Sequence, residues 1–400
     1  KGMLNQIEIA RGVYYVGAVD WNLRDFHGYN TPRGVTYNSY LIVDEKICLI
    51  DNVKAPYSEE LLERVSQIVD PAKIDYVITN HVEPDHSGSL PKLMERAPQA
   101  KVVLTNQGRD EVIKYYGKEY DFMTVKQGDV LDIGRNKLHF VPLPMLHWPD
   151  SMATFMEGEN ILFSNDAFGQ HFCTSKRFDD ENELPVALYE AAKYYANILM
   201  PFGKLVVRAL DKVSSLPLSM IAPSHGLIWR SHIKDILAAY KRWGSGENRE
   251  RVVIVYDTMW GSTEQMARRI LDGVASTGVE VRLMRISTTE LSDVALAVLE
   301  AGGILLGSSA HNSGPLATMA AASSYLQGLK PQNKLGGAFG AFGWNGGAQE
   351  RLEAGLAASG ITAALPSLFL KWTADKAELQ QCLEFGQQFG EKVKEANRKD

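Results

Sequence analysis

The sequence predicts an α/β protein of two domains: a layered α/β domain over residues 1–248 and a doubly wound parallel-sheet domain over residues 249–400. Three observations carry this expectation. The chain has 400 residues, more than one hydrophobic core usually organises. Its first part mixes hairpin-like strand pairs with helical patterns, whereas its second part alternates strand and helix. Between them lies a polar, glycine-bearing stretch, WGSGENRE (Trp243–Glu250), which reads as a linker.

In the first part, the runs GVYYVG, TYNSYLIV and ICLID read as strands before the amphipathic helix SEELLERVSQIV. The strands IDYVITN, KVVLT, LHFVP, ATFM and ILFSN follow, then the helix LPVALYEAAKYYANILM and a last helix, IKDILAAYKRW. In the second part, strand VVIVYD leads to helix STEQMARRILDGVAS, strand VEVRLMRI, a helix through Leu299, strand GGILLGS, a helix, strand KLGGAFGAFG and a closing helix–strand–helix. This alternation fits the strand order of flavodoxin.

Composition bounds the function. With 45% hydrophobic and 22% charged residues, the chain has the makings of a good core, and a net charge of −6 gives no electrostatic attraction to nucleic acid or to an anionic membrane. Cys48, Cys173 and Cys382 are too scattered for a thiolate metal site or a disulfide framework. The start, KGMLNQIEIARGVYYVG, lacks the layout of a signal peptide, and no apolar run approaches the ~20 residues that span a bilayer. A reducing, cytoplasmic location is the expectation.

The strongest chemical signal is IDYVITNHVEPDHSG, in which His81, Glu83, Asp85 and His86 follow a strand ending at Asn80. Side chains just beyond a strand's C-terminal end sit where α/β folds build their sites, and an extended turn would aim alternate side chains at one point. His147 follows strand LHFVPL, Asp166 ends ILFSND and His225 ends MIAPSHG, which repeats the placement. One histidine after a strand is ordinarily structural, and one aspartate is often a helix cap. Four titratable groups within six positions repel or desolvate one another unless a cation joins them. Imidazole with carboxylate suits iron, manganese or zinc. His139, His232 and His311 receive no metal role.

This pattern resembles the metallo-β-lactamase-fold superfamily, whose first motif is H-x-H-x-D-H, except that Glu83 stands at the second histidine. A hard anionic oxygen there favours iron over zinc. With the second half, and with segments such as AVDWNLRDFHG, PMLHWPDSM, FSNDAFGQH, YYANILMPF and SHGLIWR, the whole chain resembles the flavodiiron (A-type flavoprotein) family. The resemblance implies an αββα sandwich for the first domain. It also implies His81, Glu83 and His147 on one iron, Asp85, His86 and His225 on the other, and Asp166 bridging the two. His27 and His171 stand as candidates for orienting a ligand, Trp148 for walling the pocket, and Tyr195 for reaching it.

In the second domain, VVIVYDTMWGSTEQMARRI feeds a strand into a loop of Thr258, Met259, Trp260, Gly261, Ser262 and Thr263 that opens a helix. Its backbone N–H groups suit a phosphate dianion, and the absence of lysine disfavours a nucleoside-triphosphate loop. The loop resembles the flavodoxin phosphate loop, T/S-x-T-G-x-T, with Trp260 at the middle hydroxyl. Two later stretches are expected to converge with it on FMN. One is the loop from Ser308, Ser309, Ala310, His311 and Asn312 to Pro315. The other is Ala341, Phe342, Gly343, Trp344, Gly346 and Gly347, with Trp344 placed to stack on the flavin. Ser309 and Ala310 depart from the commonest family form.

The resemblance implies that diiron and FMN together hold enough electrons to take O2 to water or NO to N2O. It implies a head-to-tail homodimer or a dimer of dimers. No C-x-x-C pair follows the last helix, so the electrons are expected from a separate protein, rubredoxin, or from a reduced cofactor. Two rival readings are a zinc-dependent hydrolase with a flavodoxin-like regulatory domain and a non-catalytic electron carrier.

Overall fold

The computed structural model describes residues 7–398. The expected lack of a leader at the first six residues lies outside them. By its contacts the chain forms two compact units. The first comprises residues 7–26, Thr31–Tyr194 and Lys204–Lys241, and the second His27–Asn30, Tyr195–Gly203 and residues 242–398.

The first unit is built on two sheets. One runs Ile7–Ala10, Val13–Tyr15, Tyr40–Val43, Ile47–Ile50, Tyr76–Ile78, Lys101–Leu104 and Phe122–Thr124 in spatial order. It is antiparallel through its hairpins, then parallel from Ile47–Ile50 onward. The other orders Val130–Asp132, Lys137–Pro142, Met152–Glu157, Ile161–Asn165 and Met220–Pro223, with only the last pair parallel. Alternate residues of the two sheets, such as Tyr40, Ile42, Ile50 and Ile78 against Phe140, Met152, Met156 and Phe163, share one buried core. The opposite face of the first sheet packs Leu41, Leu49, Val77 and Val102 against Leu61, Val65, Leu93 and Val112 of its helices. The fold is the expected metallo-β-lactamase-like sandwich followed by a flavodoxin-like sheet.

In the second unit the parallel strands lie in the order Glu280–Arg285, Arg249–Asp257, Ala301–His311, Leu335–Phe342, with the edge shared by Thr362–Ala363 and Leu368–Lys371. Counted in sequence, this is 2-1-3-4-5. One face buries Val252, Ile254 and Leu305 against helices Ser262–Ser276 and Lys376–Asn397, and the other buries Val253, Val255 and Leu306 against the remaining helices. The stretch read as a linker is shorter than expected. Helix Ile233–Gly244 takes its first two residues and strand Arg249–Asp257 its last two, which leaves 245–248 as the turn.

Candidate functional site

Each residue of the predicted metal cluster emerges at a strand's C-terminal end. His81 and Glu83 follow Tyr76–Ile78 in extended backbone. The expectation of an extended turn fails beyond that point. Pro84, preset for the first helical position, starts the helical turn Pro84–Ser87, which carries Asp85 and His86. The change of backbone divides the motif, since the extended half and the helical half face different clusters. His147 lies beyond Lys137–Pro142, Asp166 follows Ile161–Asn165, and His225 lies two residues after Met220–Pro223.

The seven side chains converge as two sets. In the first, Glu83 Oε2 lies 3.3 Å from His81 Nε2 and 3.2 Å from His147 Nε2. In the second, Asp85 Oδ2 lies 3.5 Å from His86 Nε2 and 3.2 Å from His225 Nε2. Asp166 joins them. Its Oδ2 is 3.7 and 3.4 Å from His81 and His147, and its Oδ1 is 3.0 and 3.6 Å from His86 and His225. Donor atoms of His81, Glu83, His147 and Asp166 all lie within 4.8 Å of one another, as do those of Asp85, His86 and His225. Ligands about 2.1 Å from one cation sit roughly 3 Å apart at right angles, so this spacing suits two ions.

Electrostatics agrees with geometry. Burial works against protonation of His86, but Asp85 and Asp166 outweigh it and hold the imidazole at about 9. Burial likewise opposes protonation of His147, and Asp166 and Glu83 raise it to about 9. Burial alone would push the Asp166 carboxyl up, yet His86 and His147 hold it well below the usual range, and His147 and His81 do the same to Glu83. Thus three carboxylates draw positive charge into a buried space. Asp85 Oδ1 and Asp166 Oδ2 are buried oxygens with no hydrogen-bond donor among the described residues. The donor set fits a pair of cations.

Outer partners fix the ring orientations. Asp150 takes His81 Nδ1 at 2.9 Å and the Val82 N–H at 2.7 Å, and the Thr36 carbonyl lies 2.5 Å from His225 Nδ1. Each leaves Nε2 as the metal-facing atom. Tyr194 donates its hydroxyl to Asp166 Oδ1 at 2.8 Å. Asp150, Thr36 and Tyr194 were not foreseen. The sequence named the adjacent Tyr195, whose ring instead packs at a tilt against Trp243, 5.3 Å between ring centroids. Trp148 sets its ring edge-on to His81 at 4.9 Å. His171 packs between Phe26, Tyr194 and His225, and burial together with His225 holds it neutral. His27 belongs to the second unit.

The second unit holds a cavity of about 570 Å³ at the C-terminal ends of its strands. The helix Ser262–Ser276 begins after Gly261 (φ +88°), and no side chain among the described residues caps its first N–H groups, the kind of helix start that suits an anion. Met259, Trp260 and Ser262 line the cavity from this loop. Thr258 instead accepts from the Gly261 N–H, and Thr263 bonds Ser309. Ser308 to His311 were expected in a loop but are strand. Asn312 and Ser313, both at positive φ, make a tight hairpin that returns through Gly314–Pro315. Ser309, Ala310, His311 and Asn312 still line the cavity, while Ser308 is fully buried and accepts from Leu316 N–H.

From the third loop Ala341, Phe342, Gly343 and Trp344 line it, and Gly346 and Gly347 do not. Trp372, unforeseen, stands 6.0 Å from Trp344. Trp260, Trp344 and Trp372 are 91%, 88% and 56% exposed around the opening. An uncapped helix start beside aromatic faces fits a phosphate joined to a flat ring system, as in FMN.

Residues 35–226 match the family model described as ODP family beta lactamase, and residues 254–386 the model for flavodoxin. The chain is 45% identical over 397 residues to the nitric oxide reductase of Moorella thermoacetica, covering 98% of this chain and all of that one. It is 39% identical to the anaerobic nitric oxide reductase flavorubredoxin of Vibrio vulnificus, covering 96% of this chain and 79% of the relative. Among solved structures, rubredoxin oxygen:oxidoreductase from Desulfovibrio gigas superposes with a TM-score of 0.97 at 35% identity, covering 99% of this chain and 100% of that one. The flavodiiron protein of Giardia intestinalis gives 0.96 at 35%, covering 99% and 98%.

Proposed function

This chain belongs to the flavodiiron protein family, and from that premise we propose that it reduces O2 to water, NO to N2O, or both, at a non-haem diiron centre fed by FMN. The observation that carries the reading is Asp166, one carboxylate presenting an oxygen to each of two imidazole–carboxylate sets. His81, Glu83, His147 and Asp166 would hold one iron, and Asp85, His86, His225 and Asp166 the other. When bound, the irons and FMN supply the binding and electron chemistry for the diatomic substrate.

The chain's own residues do the rest. Asp150 and the Thr36 carbonyl fix two imidazole tautomers, and Tyr194 orients the shared carboxylate. Burial of His81, His86, Asp166 and His225 keeps water from competing for the site. In the second unit, the Thr258–Thr263 loop would hold the FMN phosphate while Trp344 and Trp372 cover the ring.

The domain boundary we adopt is 248/249, and the location cytoplasmic. No helix among the described residues is long and apolar enough to cross a membrane. A head-to-tail pair of chains, with the FMN of one serving the metals of the other, and a rubredoxin donor complete the proposal. The Desulfovibrio relative's name supports the donor.

The test is one iron- and flavin-quantified sample, reduced anaerobically and given O2 and NO in parallel. Reoxidation by at least one gas is expected, and failure of both defeats the proposal. Two zinc ions per chain with hydrolytic activity would favour the hydrolase instead.

A further inference from the structure

We infer that Trp372 positions the ring of the flavin and favours its oxidised form, from a wall of the cavity that the converging loops do not supply. Trp372 follows the last strand, Leu368–Lys371, and is held at φ +64°. That left-handed region suits glycine and strains a bulky side chain. The strain gains no burial, since the indole stays 56% exposed and lines the cavity.

Hydrogen bonds hold the backbone in this shape. The Trp372 N–H donates to the Phe342 carbonyl at 2.7 Å, which ties the segment to the third loop. Thr373 Oγ1 shares a hydrogen bond with Ser262 Oγ at 3.1 Å, at the first residue of helix Ser262–Ser276. Gly343 completes the seat, because a Cβ there would lie 2.8 Å from the Trp372 indole. The indole therefore rests against bare backbone of the third loop, 6.0 Å from Trp344 and tilted 46° to it.

An aromatic that served only the core would be buried on an unstrained backbone. Bulky residues held in sparsely populated conformations cluster at ligand sites, where the surrounding structure over-determines them. Here the constraints aim one exposed indole into the cavity beside a second. A flat, electron-poor ring is the partner such faces take. Through Thr373 the same segment reaches the helix start that suits the phosphate, so the seats of ring and phosphate are coupled. The negative face of the indole also disfavours the charge a flavin gains on reduction.

The inference rests on the FMN reading of the cavity. Trp372→Gly removes the indole and the strain together. Full-length chains stripped of flavin are titrated with oxidised and with reduced FMN, and the melting temperature of the flavin-free chain is recorded. Oxidised FMN is expected to bind about tenfold more weakly than to wild type. Reduced FMN loses less, so the midpoint potential becomes less negative, and the melting temperature is unchanged or higher. Oxidised FMN bound within about twofold of wild type overturns the role of Trp372. A lowered melting temperature also overturns it, because the indole would then be a prop of the fold.

If Trp372→Gly does not fold, Gly343→Ala keeps the indole but drives it from its seat. The same weakening of oxidised FMN is then expected, and wild-type binding overturns the role. A wild-type chain that takes up no FMN defeats the flavin reading itself, which distinguishes the two failures.

Discussion

Asp166 and Glu83 show how much one side chain decides. Replacing the imidazole of the H-x-H-x-D-H pattern by Glu83 puts an anionic oxygen between His81 and His147, and the buried site then holds three carboxylates instead of two. Removing the shared carboxylate is the direct test. Asp166→Ala is expected to lower gas turnover more than about 100-fold, beyond the usual loss for an outer partner, with FMN absorbance per chain unchanged. Retained activity would refute the bridging role.

The imidazoles make a second prediction. In metal-free protein, His86 and His147 are held at about 9 by carboxylates that outweigh burial, so both carry protons at pH 7. A metal must displace them. Affinity is therefore expected to rise with pH up to about 9, by roughly tenfold per unit for each proton displaced, and to level off above. Metal titrations at several pH values read this directly, and a flat profile from about 6.5 to 8.5 would contradict it.

At the scale of elements, backbone conformation sorts the residues that sequence spacing brings together. His81 and Glu83 leave an extended segment while Asp85 and His86 ride one helical turn begun by Pro84, so four neighbours divide between two sets. The cavity of the second unit depends on turns in the same way. Gly347 sits at φ +100°, and a Cβ there would meet the Ser313 carbonyl at 2.4 Å. Only a residue without Cβ lets the third loop approach the Asn312–Ser313 hairpin this closely. Gly347→Val combines backbone strain with a clash and is expected to weaken FMN binding by about tenfold or more, equivalent to ~1.4 kcal/mol or above. Flavin fluorescence titration measures it, and wild-type affinity would show that the two loops move independently.

At the scale of the whole molecule, the two units carry separable parts of one chemistry, and the proposed pairing of chains makes them interdependent. Asp166→Ala chains keep a flavin site, and Gly347→Val chains keep a metal site. Neither is expected to turn over at low FMN. Chains of the two kinds assembled together are expected to regain activity, because one mixed pairing joins an intact flavin to an intact metal centre. No recovery, in samples whose mixed assembly is verified by native mass spectrometry, would count against transfer between chains.

The sequence by itself determined the chemistry and the architecture. His81, Glu83, Asp85 and His86 were legible because titratable groups crowded this closely in sequence are tolerated chiefly when a cation joins them, whereas His147, Asp166 and His225, isolated in sequence, were named through the family resemblance. The strand–helix alternation of the second unit follows from local hydrophobic periodicity. Tertiary structure decided which oxygen faces which ring. It turned Tyr194 rather than Tyr195 onto Asp166 and brought Trp372 beside Trp344. It also put Asp150 behind His81 across 69 positions and Asp51 on Ser224 across 173. Such contacts join residues whose own segments carry no trace of the partner. Buried donors and acceptors must be paired, but the pairing is fixed only when the sheets close on one another.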